Sequence, residues 1–338
     1  MVSSLVTEIS TSSSNTSIEL IAENAESIVL SLRLTSLICV FGICSNGFVC
    51  YNIIQKKELH TATFIIICNM CLSDLITLIA SVAQTIITAT IAAQTGYSLT
   101  LETVCRTSLY ILNIGFSVST ISLAIVSIDR YNTLTRKTIR KLKFSLNCDY
   151  KIKFSILIIW IYSIISSFPI FLLVSINPDQ PYICDVANYG VINTSYLFTY
   201  YILNFFLPSL LVTIMYFKLV IYLRTHISSS SFRGLAFRNS KKSKSRIIKM
   251  MIIATISYLL TTLPHVIAIL IATIAGQSLS EYSSSLSPAA AFLIQVAFIL
   301  VTISCIENSV IYILSSKVLK NALKQSFRLK RRQTSFLL

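Results

Sequence analysis

Ser127-Ile128-Asp129-Arg130-Tyr131 closes an apolar run that begins near Leu109, setting an acid, a guanidinium and a phenol side by side where that run ends. Counting back 25 residues from Arg130 reaches Cys105. At 1.5 Å per helical residue the separation is roughly 37 Å, about one bilayer with part of its interface. One helix can therefore hold Cys105 at one water boundary and Arg130 at the other. A charged pair at the end of a membrane helix also arises by chance, so the triplet needs support from the rest of the chain.

Composition supplies it. Of 338 residues, 54% are hydrophobic and 12% charged, and mean hydropathy is +0.75, too apolar for a soluble protein of this length. Apolar runs recur at 28–54, 62–91, 106–128, 154–176, 196–223, 247–275 and 289–314. Each satisfies the roughly 20 residues that a hydrocarbon core requires, which predicts seven spans. The polar leader, rich in Ser and Thr, has neither a basic n-region nor a small-residue cleavage site, and reads as an extracellular tail over 1–27 rather than a removable signal peptide. The membrane domain is expected over 28–314, and a basic amphipathic stretch from Ser315 to about Phe327 opens a cytoplasmic tail over 315–338. The fold class is an all-α membrane protein, a seven-helix bundle with a short amphipathic eighth helix.

Charge orients the bundle. With loops assigned alternately, the side holding Arg130 carries 26 of the 28 Lys and Arg residues, and the other keeps Arg33 and Arg106. That other side holds Glu8, Glu19, Glu23, Glu26, Glu102, Asp179, Asp185 and Glu281. The positive-inside bias therefore predicts an N-terminus outside and a C-terminus in the cytoplasm, at the plasma membrane. The formal +15 becomes a membrane asymmetry suited to anionic lipid headgroups, not a nucleic-acid footprint. Asn15 and Asn193 begin glycosylation triplets on the outer side. Of nine cysteines, six lie in apolar spans and Cys148 faces the reducing side, which leaves Cys105 and Cys184 as the natural disulfide pair.

Inside the spans, polar residues stand out. Asn46 and Asp74 sit among apolar neighbours, where an amide needs partners on another helix and a carboxylate is costly enough to mark function. Structural hydrogen bonding is the competing reading for both. Pro208 is expected to loosen one turn of the fifth span, and Pro264 to kink the sixth. Residues 225–245, Ser-rich and basic, read as a flexible solvated loop. His60, His226 and His265 are scattered, and no HExxH or phosphate-binding loop occurs, so enzyme chemistry is a poor reading.

In their order and spacing these residues resemble the rhodopsin-like (class A) G-protein-coupled receptors. The resemblance spans the membrane domain: Asn46 in helix one, Asp74 in helix two, and Cys105 placed 25 residues before the Arg of Asp129-Arg130-Tyr131. It continues with Trp160, the only tryptophan, then Pro208 with Tyr216 eight later, Pro264, and Asn308 with Tyr312. Departures are equally specific. Ser309 stands where the family has Pro in helix seven, Thr262 where Trp is usual in helix six, and Tyr258 where Phe is usual. Leu112 and Thr302 occupy the positions of the amine-binding Asp and the retinal-binding Lys, which disfavours both ligand classes. Lys244 lies near the position where some members carry an acid that locks the helix-three Arg.

The resemblance implies a bundle that switches between two packings, the outer pocket and a cytoplasmic cleft biasing one equilibrium. Asp129 pairs with Arg130 in the off state. In the on state helix six swings out, and Arg130, Tyr131, Tyr216, Asn308 and Tyr312 serve a heterotrimeric G protein. Asp74 with Ser119 and Asn308 resembles the family's sodium site, an oxygen-rich cluster apt for a hard cation, and no other cofactor is expected. The pocket for an extracellular ligand is expected from Tyr110, Leu112, Asn113, Tyr200, Asn204, Thr262, His265, Gln295 and Phe298, with ordinary interhelical packing as the alternative for each. A peptide, a neutral small molecule and a lipid all stay open as ligand. Thr262 and Lys244 predict a weakened off state and elevated basal activity. The competing classes are a transporter or channel, and a non-signalling scavenger.

Overall fold

The computed structural model describes residues 33–93, 99–135, 149–176, 184–186, 189–228 and 235–334. Seven helical segments within them are long and apolar enough to cross a membrane: Arg33–Gln55, Ala62–Ile87, Leu99–Asn132, Tyr150–Leu173, Val191–Tyr222, Ile252–Ile274 and Pro288–Leu314. The helices themselves are α1 (Arg33–Gln55), α2 (Ala62–Ala93), α3 (Leu99–Thr135), α4 (Asp149–Leu173), α5 (Val191–Tyr201), α6 (Leu207–Ser228) and α7 (Leu235–Ile274). Then follow a short α8 (Leu279–Ser284), the seventh span α9 (Pro288–Ser315), and α10 (Lys317–Thr334). A 3-10 turn, Lys57–Leu59, joins the first two spans. The leader and the Asn15 triplet lie outside the described residues, as do the last four positions.

Two boundaries differ from the sequence reading. The fourth span stops at Leu173, and Val174–Ile176 forms strand β1, paired antiparallel with β2 (Cys184–Val186). Those apolar residues continue the hydropathy of the helix, but they form an outer hairpin whose Val174 and Ile176 are buried against the bundle. The loop expected over 225–245 is also shorter, because α6 runs to Ser228 and α7 begins at Leu235. Gly234 is the last helix breaker before the span, so once the apolar part of α7 is nucleated, the run Leu235 to Lys249 propagates it at little cost.

The fifth span is loosened where its proline predicts. Pro208 has no N–H to offer the carbonyl of Asn204, and a π turn occupies Ile202–Phe206, with the Leu207 N–H reaching Ile202. By contrast α9 runs unbroken from Pro288 to Ser315, since Ser309 keeps the backbone donor that a proline there would remove.

Polarity is arranged for lipid. Leu37, Phe41, Ile79, Ile165, Leu260 and Phe292 are exposed on outer faces, while Asn46, Ser73, Asp74, Ser117, Thr262 and Ser309 are buried. Hydrocarbon outside the bundle gives apolar side chains no reason to hide, so close packing and hydrogen bonds hold the helices together. α3 is the central strut, meeting α2, α4, α6 and the outer hairpin. Small residues permit the approaches. A Cβ on Gly42 would come within 2.7 Å of Leu78 and 2.8 Å of Ile306, and a Cβ on Gly115 would collide with the Thr77 hydroxyl. α10 docks through Leu319 and Ala322, both buried, and carries bases along the remainder of its length.

Gly115→Ala should therefore destabilise the bundle by about 1–3 kcal/mol, the usual range for overpacking. Thr77→Ala, by vacating the colliding position, should restore much of the loss. Thermal unfolding of the two single variants and the double variant in detergent checks this; equal melting of Gly115→Ala and the native chain would refute the tight approach.

Candidate switch and ligand site

Four polar clusters are stacked through the bundle. At the C-terminal end of α3, Arg130 Nη2 lies 3.4 Å from Asp129 Oδ2, and Thr63 donates to the same oxygen at 3.5 Å. Arg130 Nε and the Tyr216 hydroxyl have no hydrogen-bond partner, although both are buried. Tyr216 and Tyr312 are close enough to act electrostatically on the guanidinium, and Tyr312 is 1% exposed. Tyr131 is half-buried beside them. Helical spacing explains the grouping: α3 delivers Asp129 and Arg130 at its inner end, while α6 and α9 each bring one phenol. Lys244 falls on the N-terminal extension of α7 before the apolar span, with its side chain outside the described residues.

One layer further in, Ser119 donates to Asp74 Oδ1 at 2.6 Å, and its oxygen lies 2.8 Å from Ser73 Oγ. Asp74 is 2% exposed, yet its Oδ2 has no partner. The Asn308 amide lies against that carboxyl with neither of its polar atoms in a completed hydrogen bond. Asn46 donates to the carbonyls of Gly42 at 3.0 Å and Cys305 at 2.8 Å, leaving its own carbonyl oxygen unpaired. Buried polar atoms are rarely left so. The Asp74 carboxylate, the Ser73 and Ser119 hydroxyls and the Asn308 amide oxygen are the hard oxygen donors a small cation takes, and Asp74 Oδ2 and Asn308 Oδ1 are buried without partners, so the residues present fit sodium.

Ser309, the departure in helix seven, also has a role. Its hydroxyl meets Ser45 Oγ at 2.8 Å and the Ile306 carbonyl at 2.8 Å, joining α9 to α1. Tyr258 is similarly accounted for: the hydroxyl it carries beyond a phenylalanine ring bonds to Thr120 on α3. Trp160 donates to Asn69 at 2.9 Å, and Asn69 donates to Ser122 at 3.0 Å, which staples α4, α2 and α3. The sequence reading missed Asn69, Ser122, Thr120 and Ser45. Their signal was present as polar residues set at helical spacing inside apolar runs, where each must find a partner.

At the outer end, Cys105 and Cys184 are disulfide-bonded, tying β2 to α3. The next residue, Asp185, accepts from Val186 N at 2.8 Å and, across the opening, from Ser280 N at 3.1 Å and Ser280 Oγ at 3.0 Å. Burial pushes its carboxyl above the ordinary carboxylate range, against the pull of those hydrogen bonds. The expected pocket residues divide into groups. Tyr200 donates to the Asn113 carbonyl at 2.9 Å and meets Ser167, and Asn204 accepts from Ser117 at 2.6 Å. His265 packs edge-on against Phe298 at 5.8 Å, and Gln295 and Phe298 are exposed. Thr262 is buried with its hydroxyl unpaired, and Leu112 is half-buried. Tyr110 is engaged elsewhere, donating to the Ile164 carbonyl and packing edge-on against Phe168 and Phe171 of α4.

This arrangement is that of a seven-span switch protein, and residues 45–312 match the family model described as 7 transmembrane receptor (rhodopsin family). The chain belongs to that family and is a G-protein-coupled receptor, which replaces the transporter, channel and scavenger readings. Among its relatives is the neuropeptide Y receptor type 6 of Oryctolagus cuniculus, 26% identical over 263 residues, covering 72% of this chain and 68% of the relative. The galanin receptor 2b of Danio rerio is 25% identical over 250 residues, covering 73% and 63% respectively. The neuropeptide FF receptor 2 of Mus musculus is 22% identical over 255 residues, covering 70% and 59%.

Cys184→Ser should free β2 from α3 and cost about 4 kcal/mol for a loop of this length, on the chain-entropy model. The expected result is a sharp loss of surface expression, with Cys105 becoming available to a membrane-impermeant maleimide; labelling of Cys105 in the native chain would contradict the bond.

Proposed function

We propose that this receptor responds to an extracellular peptide and activates a heterotrimeric G protein at its cytoplasmic face, with its N-terminus outside the plasma membrane and its C-terminus inside. The observation that carries the reading is the Arg130 cluster, a charge held by Asp129 at 3.4 Å with two buried phenols beside it, at the base-rich end of the bundle. A guanidinium with an unpaired Nε under a thin cover of side chains is poised for a new partner once helix six withdraws. The peptide ligand is supported by the relatives, each named for a neuropeptide or for galanin, and by an outer face carrying Glu102, Asp185 and Glu281. The tail over 1–27, the bundle over 28–314 and the cytoplasmic segment over 315–338 divide the chain by this orientation. Asn193, in the first turn of α5, is the described candidate for a glycan.

Asp74, Ser119 and Asn308 would hold a sodium ion, which would supply the positive charge that their unpaired oxygens face. The silent packing is then the one that keeps this cluster closed. Asp129 orients Arg130, and the hydroxyls of Tyr216, which is unpaired, and of Tyr312, which is buried, become hydrogen-bonding groups for the open cleft.

Arg130→Ala should reach the cell surface at near-native density and lose G-protein activation by about tenfold or more, the effect of ~1.4 kcal/mol of lost coupling. Undiminished activation would show that Arg130 only extends its charge to the headgroups. For the inner cluster, native receptor should melt higher in sodium than in choline chloride at equal ionic strength. Asp74→Asn should abolish that difference, and a sodium shift that survives the substitution would remove the ion from this site.

A further inference from the structure

We infer that Glu307 is the restraint holding the sixth span against the seventh in the silent receptor, a carboxyl clasp that acts where Thr262 and Lys244 leave helix six without its usual restraints. The inference rests on reading the chain as a helix-bundle switch. Glu307 precedes Asn308 on α9 and is half-buried inside a span, where a carboxyl is expensive unless polar groups surround it. Among the described residues the ion pairs are Arg106 with Glu102 and Arg130 with Asp129, so hydroxyls rather than a base shelter Glu307. Thr261 Oγ1 lies 3.0 Å from the Ser257 carbonyl, 3.2 Å from the Tyr258 carbonyl and 3.4 Å from Glu307 Oε2, so its one proton is shared with its own backbone, and the Ser257 hydroxyl, one turn earlier on α7, also interacts with the carboxyl. A single bond at 3.4 Å is long for a hydroxyl donor. Two hydroxyls four residues apart on one helix face make the clasp.

Geometry decides which helix the clasp restrains. α9 is already fixed on its opposite flank by the Ser309–Ser45 bond and by Asn46 on the Cys305 carbonyl. Its backbone is continuous through Ser309, without the hinge that a proline would create. Ser257 and Thr261, in contrast, lie on the cytoplasmic side of Pro264, in the part of α7 that the switch displaces. When that segment swings out, both hydroxyls leave, and Glu307 has no substitute at hand. The groove on its other side, about 450 Å³, is lined by Leu37, Ile38, Phe41, Ile303, Ile306 and Val310. The displaced packing therefore strands a carboxyl in hydrocarbon, and that penalty weights the equilibrium toward silence.

The test uses full-length receptor in lipid nanodiscs, as the native chain, Glu307→Ala, Glu307→Gln, Thr261→Val and the Glu307→Ala/Thr261→Val double variant. Ligand-free nucleotide exchange is measured across a G-protein panel, and the distance between spin labels at His60→Cys and Ile253→Cys is measured without any G protein. Glu307→Ala and Thr261→Val should each raise basal exchange at least threefold and populate a longer label distance. The double variant should exceed neither single one, and Glu307→Gln, which keeps an acceptor, should stay within twofold of native. Unchanged distances in Glu307→Ala and Thr261→Val, or effects that multiply in the double variant, overturn the clasp. Lengthened distances with no exchange by any form uphold the clasp and overturn the G-protein reading instead. Should Glu307→Ala fail to fold, Thr261→Val decides alone, because it leaves Glu307 in place and removes the hydroxyl 3.4 Å from its carboxyl.

Discussion

The absence of water from the bilayer interior governs this structure. A hydroxyl, amide or carboxyl inside a span has no solvent to fall back on, so each must bond to its own helix or to a neighbour. Many do the first: Thr77, Ser81, Thr85 and Thr120 return their protons to carbonyls four residues back. Those that reach across define the bundle. Trp160 and Asn69, Ser117 and Asn204, Ser119 and Asp74, and Ser45 and Ser309 join helices far apart in sequence, and three of these four pairs involve α2 or α3 near the centre.

The same constraint explains why the exceptions are informative. Asp74 Oδ2, both ends of the Asn308 amide, Arg130 Nε and the Tyr216 hydroxyl are among the buried groups without partners. A static packing has no use for so many unmet groups. A switch does, because they become partners in the second state or for an ion, and their dissatisfaction in the first keeps the two states close in free energy.

Departures from the family pattern are compensated locally rather than left as gaps. Ser309 removes a hinge from helix seven and replaces it with a bond to helix one; Tyr258 adds a hydroxyl that Thr120 receives. Thr262 stands apart, buried with its hydroxyl unpaired and without the bulk of the indole usual there. The restraint on helix six therefore has to come from other contacts, and Tyr258, bonded to Thr120 of α3, and Thr261, beside Glu307 of α9, both lie on α7 within about one turn of it.

Residue spacing alone determined the seven spans and the pairing of Cys105 with Cys184, because hydropathy and redox compartment are one-dimensional properties. The Arg130 cluster was legible too, since its members carry distinctive chemistry at characteristic separations. Hydropathy misassigned Val174–Ile176, because an apolar strand buried against the bundle and the last turn of a membrane helix have the same composition. Tertiary structure alone decided that Tyr110 engages helix four, that Asp185 bridges to Ser280, and that Glu307 lies beside Thr261. Each depends on the rotation of one helix against another, and a Ser or Thr has the same local sequence signature whether it bonds to its own backbone or to the next helix.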